Sequence, residues 1–302
     1  KAQSAEYLRT LSRNATTQID ATFYNPAGLV FLENEGFHFS AGNYALFQQK
    51  SIQDQSDLLV GLGFDEPYGS AGSSFLYPML HAAYRMGDWA AYLNFLPTGG
   101  GGGGNYTNGL PSFDIMILGA ASDLAGISPS SYSRDMSFKG SAYNLGTTLG
   151  LAYKVHEMVS ISAGYRLTYG IRSYEGHVKS LAIGIGETTL TGEQLPDMLS
   201  DATIDVQANG ISHTLILGIH VRPTDNLDIG VHTEISGALN LKNQTTFSGN
   251  PNLESLFSSS SFADGYISDV RESPTIMTGV EYRLTADLLI TSSAFISLNQ
   301  ES

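Results

Sequence analysis

Apolar and polar side chains alternate over long stretches of the chain. Between residues 159 and 172, every odd position carries Val, Ile, Ala, Tyr or Leu, and every even position carries Ser, Gly, Arg or Thr. A period of two residues predicts β-strands whose two faces meet different surroundings. A polar row this long would leave many groups unpaired inside a small soluble core, but it can line the lumen of a wide barrel. The apolar row is then expected to face lipid.

Nine such strands are predicted, and tight turns alternate strictly with long polar segments between them. A membrane β-barrel has short turns on one rim and long loops on the other, whereas a soluble sandwich has no reason to sort its connections in this way. The predicted strands cover residues 36–48, 75–86, 89–97, 137–155, 158–174, 202–221, 227–246, 273–284 and 288–298. The turns centre on Gly87, His156, Thr224 and Ala286, and the long segments on Gly63, Gly109, Thr188 and Phe257.

Six consecutive glycines, Gly99–Gly104, fall in one of the long segments. They satisfy a GxGxxG pattern, but a phosphate-binding loop also needs a preceding strand, a following helix and usually a Lys-Ser or Lys-Thr pair. Asn105-Tyr106-Thr107 follows instead. We therefore expect a mobile loop at these glycines and a helix near residues 113–124.

A compact segment precedes the first strand. A short helical stretch, Gln3–Ser12, leads into Asn14–Gly28, which reads NATTQIDATFYNPAG and has the turn chemistry of Asn25-Pro26 and Ala27-Gly28. A small, polar, Pro/Gly-punctuated segment in front of an array of hairpins is more typical of a plug than of another strand. Residues 1–35 are therefore expected inside the barrel, with Phe23 and Tyr24 against lumen-facing side chains.

The run SAEYLRTLSRNATTQIDATFYNPAGLVFL resembles the start of mature proteins of the FadL/TodX family, and residues 83–101 resemble the family's second hairpin. The family consists of bacterial outer-membrane channels for long-chain fatty acids and hydrocarbons. The resemblance implies an all-β fold, a transmembrane antiparallel β-barrel of about fourteen strands. It also implies an N-terminal hatch at 1–35 inside the lumen and a barrel at 36–302. The gate implied by the motif is formed by Asn25, Pro26, Ala27 and Gly28.

The nine visible strands are fewer than the family's number. A membrane sheet with an open edge would expose unpaired backbone groups to hydrocarbon. The chain also ends in Asn299-Gln300-Glu301-Ser302, without a terminal aromatic residue. We therefore expect either an incomplete stretch of a longer protein or half of a barrel completed by another chain.

Composition narrows the functional classes. The chain has 302 residues, no cysteine and a formal net charge of −14, so disulfides, thiol chemistry and nucleic-acid binding are not expected. Charged residues make up only 15%, below the roughly 25% of soluble proteins, and no apolar run is long enough for a membrane helix. A large soluble all-β protein remains the alternative. No nucleophile motif, carboxylate pair or histidine pair at ligand spacing occurs, so no enzyme, metal or cofactor is predicted.

Two groups of residues are candidates for ligand binding. By strand parity, Phe75, Tyr77 and Met79 point to the lumen, where they either bind an acyl chain or hydrocarbon or pack against the hatch. Basic residues on the lumen side either receive a carboxylate head group or are solvated or paired with hatch carboxylates such as Asp20. These basic residues are Arg85, Arg166, Lys154, Arg222 and Arg283.

The function predicted from the resemblance is passive uptake of hydrophobic small molecules across the bacterial outer membrane, gated by the hatch. The partners are then fatty acids or hydrocarbons and outer-membrane lipid. One alternative is a plugged barrel of the same shape that serves as a scaffold or attachment partner in a secretion or surface complex, with a partner protein. A third possibility is an adhesin that acts through its long loops.

Overall fold

The computed structural model describes residues 13–64, 66–191, 194, 201–249, 260–285 and 287–298. Four short helical elements occur there. Helix α1 (Ala21–Tyr24) and a 3-10 helix (Pro26–Phe31) lie in the hatch, and α2 (Asp57–Gly61) and α3 (Pro111–Ala125) lie in two of the long connections. None of the helices in the described ranges has the length and apolarity to cross a membrane.

Twelve strands form one antiparallel sheet. They are β1 (Gly36–Ile52), β2 (Tyr68–Met86), β3 (Trp89–Tyr106), β4 (Ser131–His156), β5 (Val159–Ile185), β6 (Thr188–Thr191), β7 (Ala202–Thr224), β8 (Leu227–Ser236), β9 (Leu239–Gly249), β10 (Ile267–Val270), β11 (Thr275–Arg283) and β12 (Leu289–Ser297).

The sheet follows a path of nine neighbouring strands, β1-β2-β3-β4-β5-β7-β8-β11-β12. Strands β8 and β9 both pair with β7, so together they form one long strand with a short interruption. Strands β10 and β11 pair with β9 and β8, respectively, and form a second long strand of this kind. The nine-strand prediction is therefore confirmed. Within the described ranges, β1 and β12 are not paired with each other, so the path ends in two sheet edges.

The connections are sorted as predicted. Only two residues separate β2 from β3, β4 from β5, and β7 from β8, and because successive strands are antiparallel these turns lie on one rim. The connections that contain α2 and α3 lie on the other rim. Ala286, the fourth predicted turn centre, and Phe257 lie outside the described residues.

The two faces of the wall also follow the predicted alternation. Along β5, Tyr165, Leu167 and Tyr169 are each more than 40% exposed, whereas Ser160, Ser162 and Arg166 on the opposite face are buried. The outward row is apolar, as the hydrocarbon region of a bilayer requires. The chain thus has the fold of a transmembrane β-barrel wall with the hatch against its inner face.

The expected loop at the six glycines is wrong, because Gly99–Gly104 continue strand β3 and pair with residues 140–144 of β4. Gly100 and Gly102 have φ of +83° and +81°, which side-chain-bearing residues rarely adopt. Register shifts occur at these two positions and at Pro97/Gly99. The glycines therefore let β3 bend while remaining in the sheet.

The expectation of one continuous strand over 227–246 is also corrected. The strand breaks between Ser236 and Leu239, and the break inverts the facing of every residue beyond it. Ile235 is exposed on the outer face, but Leu239 and Leu241, which parity assigns to the same face, are buried with Ala208. These two leucines line the inner side.

Candidate functional site

The Asn25–Gly28 motif fixes the hatch to the wall. The Asn25 side chain donates to the carbonyl oxygen of Asn14 at 3.1 Å and to that of Ile219 in β7 at 3.0 Å. Its oxygen accepts from the Ala27 amide at 3.3 Å and so caps the 3-10 helix, which starts at Pro26. One buried side chain therefore joins two parts of the hatch to the barrel.

Three wall glycines make room for this contact, and we call them the glycine socket. They lie on the adjacent strands β7, β8 and β11. A Cβ on Gly218 would lie 2.3 Å from Asn25 Oδ1, one on Gly230 would lie 1.8 Å from the Asn14 carbonyl oxygen, and one on Gly279 would lie 3.0 Å from the Ala15 nitrogen. The hatch backbone can approach the wall this closely only because these positions lack side chains.

Pro26, Ala27 and Gly28 are all buried in the same interface. The Ser160 hydroxyl of β5 donates to the Ala27 carbonyl oxygen at 2.5 Å. A Cβ on Gly28 would lie 2.2 Å from the Thr16 carbonyl oxygen, so the hatch also packs tightly against itself. The four motif residues lock the hatch in place, and their role as a gate stays a prediction.

Further contacts join the hatch to strands β2 and β3. Thr22 Oγ1 lies 2.7 Å from His81 Nδ1 in β2, and Asn94 of β3 donates to the Thr22 carbonyl oxygen at 2.5 Å. Arg85 donates to the Leu32 carbonyl oxygen at 2.7 Å. Residues of hatch and wall share one apolar cluster, made of Ala21, Leu29, Val30, Leu32, Ala83, Ala90, Tyr92 and Ala152.

A cavity of about 460 Å³ lies in the lumen on the outer side of the hatch, and we call it the lumen cavity. Phe23, Tyr24 and Asn14 of the hatch border it. Its wall combines hydroxyl groups with apolar groups, because Thr98, Thr168, Ser212, Thr214, Leu239, Met277 and Phe295 all border it. The cavity can therefore hold a solute that has both apolar and polar parts.

Two arginines of β5 line the lumen cavity, and their surroundings differ. Arg166, the predicted ligand residue, is 4% exposed, forms two 2.8 Å hydrogen bonds with Glu234, and lies over the ring of Phe23 at 5.6 Å. Arg172 donates only to the backbone oxygens of Tyr143 and Ile171, at 3.0 and 2.8 Å. No carboxylate of the described ranges lies within ion-pair distance of Arg172. The cation available to an anionic solute is therefore Arg172.

Other charges at the cavity do not compensate Arg172. Arg271 and Glu272 both border the cavity, but Arg271 is paired with Asp269 at 2.9 Å, and Glu272 is exposed and makes no ion pair with Arg172. Among the described residues no group of three or more His, Asp or Glu could hold a metal ion.

The structure does not bring the three predicted apolar ligand residues, Phe75, Tyr77 and Met79, to one face of β2. Tyr77 is 1% exposed, and its hydroxyl donates to the carbonyl oxygen of Gly100, which borders the lumen cavity, at 3.3 Å. Met79 is buried on the same face. Tyr77 lies in the part of β2 between Ser70 and Leu80, where no residue pairs with β3. Tyr77 thus contacts a residue that lines the cavity, but neither Tyr77 nor Met79 borders the cavity itself.

The lumen placement of Phe75 is wrong. Phe75 is 66% exposed and packs edge-on against Phe47 of β1 on the outer face, with ring centroids 5.5 Å apart. Tyr77 pairs with Tyr44, but Ser74 pairs with Leu46, so β2 carries one extra residue there. The Asn43 side chain closes this β-bulge through the Phe75 carbonyl oxygen and the Tyr77 amide, each at 2.9 Å. A bulge inverts side-chain facing, which parity could not anticipate.

Three of the four basic residues predicted at the inner rim are already paired, whereas Arg283 is exposed. Arg85 is bonded to the hatch backbone, as described above. Lys154 lies 3.1 Å from Asp88, and Arg222 lies 2.9 Å from Asp228 and over the ring of Phe31 at 4.7 Å. Asp20, the predicted hatch partner, is instead bonded to Arg13 at 2.6 Å. These contacts favour the paired alternative over head-group binding at this rim.

A row of aromatic side chains lies on the outer side of the lumen cavity, and we call it the aromatic track. It was not predicted from the sequence. Ring centroids are 5.6 Å apart from Phe113 of α3 to Phe138, 6.3 Å from Phe138 to Tyr174, and 6.1 Å from Tyr174 to Phe262. Parity of β4 and β5 places Phe138 and Tyr174 on the lumen side, so this part was detectable. Phe113 of α3 and Phe262 of a loop join this row only through tertiary contacts, which the local sequence does not reveal.

Helices α2 and α3 pack on the outer extensions of β4 and β5 and form an external cap. The cap has its own apolar cluster, which includes Leu59, Ile117, Leu118, Tyr132 and Ile183. At its centre the fully buried Asp114 accepts from the Tyr68 hydroxyl at 2.7 Å, the Tyr132 hydroxyl at 2.8 Å and Arg134 at 2.9 Å. Burial, together with the Asp114 carboxylate, raises the pKa of both tyrosines, which lie beyond the apolar band of the wall.

Asp114→Asn is expected to loosen the external cap. The amide keeps the size of the carboxylate but loses charge-assisted bonds, each of which contributes about 1.5–3 kcal/mol. Hydrogen exchange of the α3 amides should therefore become faster, while exchange in the lumen strands stays unchanged. Asp123→Asn, on the exposed face of the same helix, is the matched control. Equal exchange in the two variants would contradict the assigned role of Asp114.

Neither a family model nor a curated protein matches the sequence. Solved structures do. A FadL homologue of Pseudomonas aeruginosa has a TM-score of 0.63 and 14% identity, over 97% of this chain and 68% of its own. The P. putida toluene transporter TodX has a TM-score of 0.57 and 13% identity, over 93% of this chain and 66% of its own. A TodX deltaS2S3 mutant, a monoaromatic hydrocarbon channel, has a TM-score of 0.54 and 14% identity, over 91% of this chain and 64% of its own.

The likeness to these structures extends along nearly the whole described chain, and the FadL/TodX fold expected from the NPAG region is confirmed. The chain spans about two thirds of the length of the structures it matches. This ratio agrees with a path of nine strands that leaves two unpaired edges.

Proposed function

We propose that the protein is an outer-membrane channel that takes up hydrophobic small molecules, such as long-chain fatty acids or hydrocarbons, by passive diffusion. The observation that carries this proposal is a cavity between an aromatic entrance and a docked hatch, with one uncompensated arginine in its wall. A channel of this kind has no catalytic step. The similar structures include a toluene transporter and a monoaromatic hydrocarbon channel, which supports the same class of solute.

The solute enters along the aromatic track. Aromatic rings with centroids about 6 Å apart offer continuous apolar contact from Phe113 of α3 to Phe262. A solute that moves between such rings never has to expose its apolar surface fully to water, which would cost about 25 cal/mol per Å². The external cap holds Phe113 at the start of this route.

In the lumen cavity the solute lies against Phe23 and Tyr24 of the hatch. If it carries a carboxylate, Arg172 binds that group, since Arg166 is neutralised by Glu234. Release then requires the hatch to leave the glycine socket, so Asn25 acts as the lock and residues 25–28 as the gate.

Phe138→Ala is expected to slow uptake without affecting the hatch. Truncation removes the ring that links Phe113 to Tyr174, and about 1.5–3 kcal/mol of apolar contact to a bound solute. Uptake of a labelled fatty acid at a solute concentration below saturation should fall by roughly tenfold. Phe39→Ala, on the exposed outer face of β1, removes a ring of the same kind and should leave uptake unchanged. An equal loss in both variants would argue against the aromatic track as the entry route.

A permanently plugged barrel that serves as a scaffold is the second candidate function. It is favoured by five hydrogen bonds that join the hatch to the wall. Native mass spectrometry of the detergent-purified protein distinguishes the two functions. A bound amphiphile supports the channel, and a stable complex with another protein and no bound amphiphile supports the scaffold.

A further inference from the structure

Three residues that border the lumen cavity carry buried polar atoms without a partner. Asn14, Asn144 and Thr275 are 0%, 8% and 6% exposed. Each has a buried side-chain oxygen that makes no hydrogen bond to any residue of the described ranges. Native proteins seldom retain such an atom unless water or a ligand satisfies it. These oxygens therefore indicate that the cavity receives polar groups of a solute as well as apolar ones.

Asn144 of β4 lies beside Arg172, the cation that is available to an anionic solute. Arg172 pairs with Ala142 and Asn144 pairs with Gly170, so Arg172 and Asn144 are diagonal neighbours in the β4–β5 ladder, and both border the cavity. Diagonal neighbours are about 7–8 Å apart. Arg172 Nη1 donates to the carbonyl oxygen of Tyr143 at 3.0 Å, so the guanidinium reaches toward Asn144 along β4. A charged donor and an amide therefore face the same part of the cavity.

Glycines on both neighbouring strands leave Asn144 without a side chain opposite it. Asn144 pairs with Gly99 of β3 and with Gly170 of β5, and both glycines belong to strands that border the cavity. We call Asn144, Gly99, Gly170 and Arg172 the polar notch. Leu239 packs over Gly170, where a Cβ would lie 2.8 Å from Leu239 Cδ2. An apolar surface therefore begins at one side of the notch.

The polar notch fits a carboxylate that has a hydroxyl group close to it. The Arg172 guanidinium donates hydrogen bonds and binds the carboxylate. A carboxylate only accepts and cannot satisfy the Asn144 oxygen, whereas a hydroxyl donates to it. Rotation of the amide about its Cβ–Cγ bond presents either its oxygen or its nitrogen to the solute. Two hydrogen bonds of about 2.9 Å each, joined by the short span from a carboxylate to a hydroxyl on the second or third carbon, bridge the two side chains.

We infer that the protein binds and takes up 2- or 3-hydroxy carboxylic acids with an apolar chain in preference to the unsubstituted acids. The inference rests on the proposed function and narrows its class of solute. Arg172 binds the carboxylate, Asn144 accepts a hydrogen bond from the hydroxyl, and Leu239 contacts the chain that follows. An unsubstituted acid or a hydrocarbon leaves the Asn144 oxygen without a partner and therefore binds more weakly.

Calorimetric titration of the amphipol-solubilised protein tests the preference with three water-soluble acids of equal chain length. These are octanoate, 3-hydroxyoctanoate and ω-hydroxyoctanoate, whose hydroxyl lies at the far end of the chain. 3-Hydroxyoctanoate is expected to bind roughly three- to tenfold more tightly than octanoate, as one additional hydrogen bond provides. ω-Hydroxyoctanoate should not share this gain, because its hydroxyl cannot reach Asn144 while Arg172 holds the carboxylate. Equal affinities for octanoate and 3-hydroxyoctanoate, or for the two hydroxy acids, overturn the inference.

Asn144→Leu should lower the affinity for 3-hydroxyoctanoate to that for octanoate, because leucine is similar in size but has no acceptor. Asn105→Leu, at an exposed position of β3 that does not border the cavity, should retain the preference. If the Asn144→Leu protein lacks the heat-modifiable gel mobility of a folded barrel, Asn144→Ala takes its place. A preference that persists in a folded Asn144 variant overturns the inference.

Uptake of the same acids into proteoliposomes separates this inference from the proposed function. A binding preference that depends on Asn144, without uptake above that of an unrelated barrel, supports the polar notch and contradicts the channel. Equal affinities for octanoate and 3-hydroxyoctanoate, with uptake of both above that of the unrelated barrel, support the channel and refute the polar notch.

Discussion

Gly230→Ala is expected to displace the hatch and turn a plugged barrel into an open pore. The new Cβ would lie 1.8 Å from the Asn14 carbonyl oxygen, a backbone atom that cannot rotate away as a side chain would, and 2.7 Å from Asn25 Nδ2. Because the wall is held by paired strands on both sides of β8, the hatch is the part that moves. Ion conductance in planar bilayers should rise by about an order of magnitude, as expected for a water-filled lumen.

Gly69→Ala is the matched control for this substitution. Gly69 is also a strand glycine, but a Cβ there meets nothing within 4 Å. Its conductance should equal that of the unaltered protein, and both variants should retain the heat-modifiable gel mobility of a folded barrel. Unchanged conductance in Gly230→Ala with normal folding would show that the glycine socket does not hold the hatch.

Arg172→Gln is expected to reduce uptake of a carboxylate solute by roughly tenfold or more. A hydrogen bond to a charged group contributes about 1.5–3 kcal/mol, and 1.4 kcal/mol corresponds to a factor of ten. Uptake of the corresponding neutral alcohol should stay unchanged, because that molecule makes no ion pair. Competition between labelled acid and alcohol in the same proteoliposomes measures both effects together.

Arg166→Gln is expected to lower stability and to leave acid selectivity unchanged, although Arg166 lines the same cavity and lies on the same strand as Arg172. Its partner Glu234 would lose two hydrogen bonds and remain largely buried, so the variant should unfold at a lower temperature. The ratio of acid to alcohol uptake should remain that of the unaltered protein. An equal loss of acid selectivity in both arginine variants would contradict the assignment of Arg172.

Strand parity predicted the wall correctly wherever the ladder is regular. β4 and β5 pair with an unbroken register from Asp135/Lys179 to Lys154/Ser160, so the lumen and lipid faces of β5 followed from its sequence. One extra residue inverts every position beyond it. Phe75 and Leu239 were therefore misplaced, since each lies at or beyond an irregularity. The β2 bulge is closed by Asn43 of another strand, and no local pattern reports such a contact.

The candidate site was predictable to a smaller extent. The NPAG motif located the hatch because its turn chemistry and its resemblance to a known family are local features. The choice between Arg166 and Arg172 depends on Glu234, which is 68 residues away in sequence from Arg166. Likewise, the six glycines could be assigned to a strand only once β4 was known to lie beside them.

Uptake of a labelled long-chain fatty acid into proteoliposomes tests the central claim most directly. The protein should take up the solute faster than an unrelated outer-membrane barrel at equal density, without an energy source, and Gly69→Ala should match it. Uptake no faster than that of the unrelated barrel, by protein with normal heat-modifiable mobility, would contradict the channel and leave the plugged scaffold.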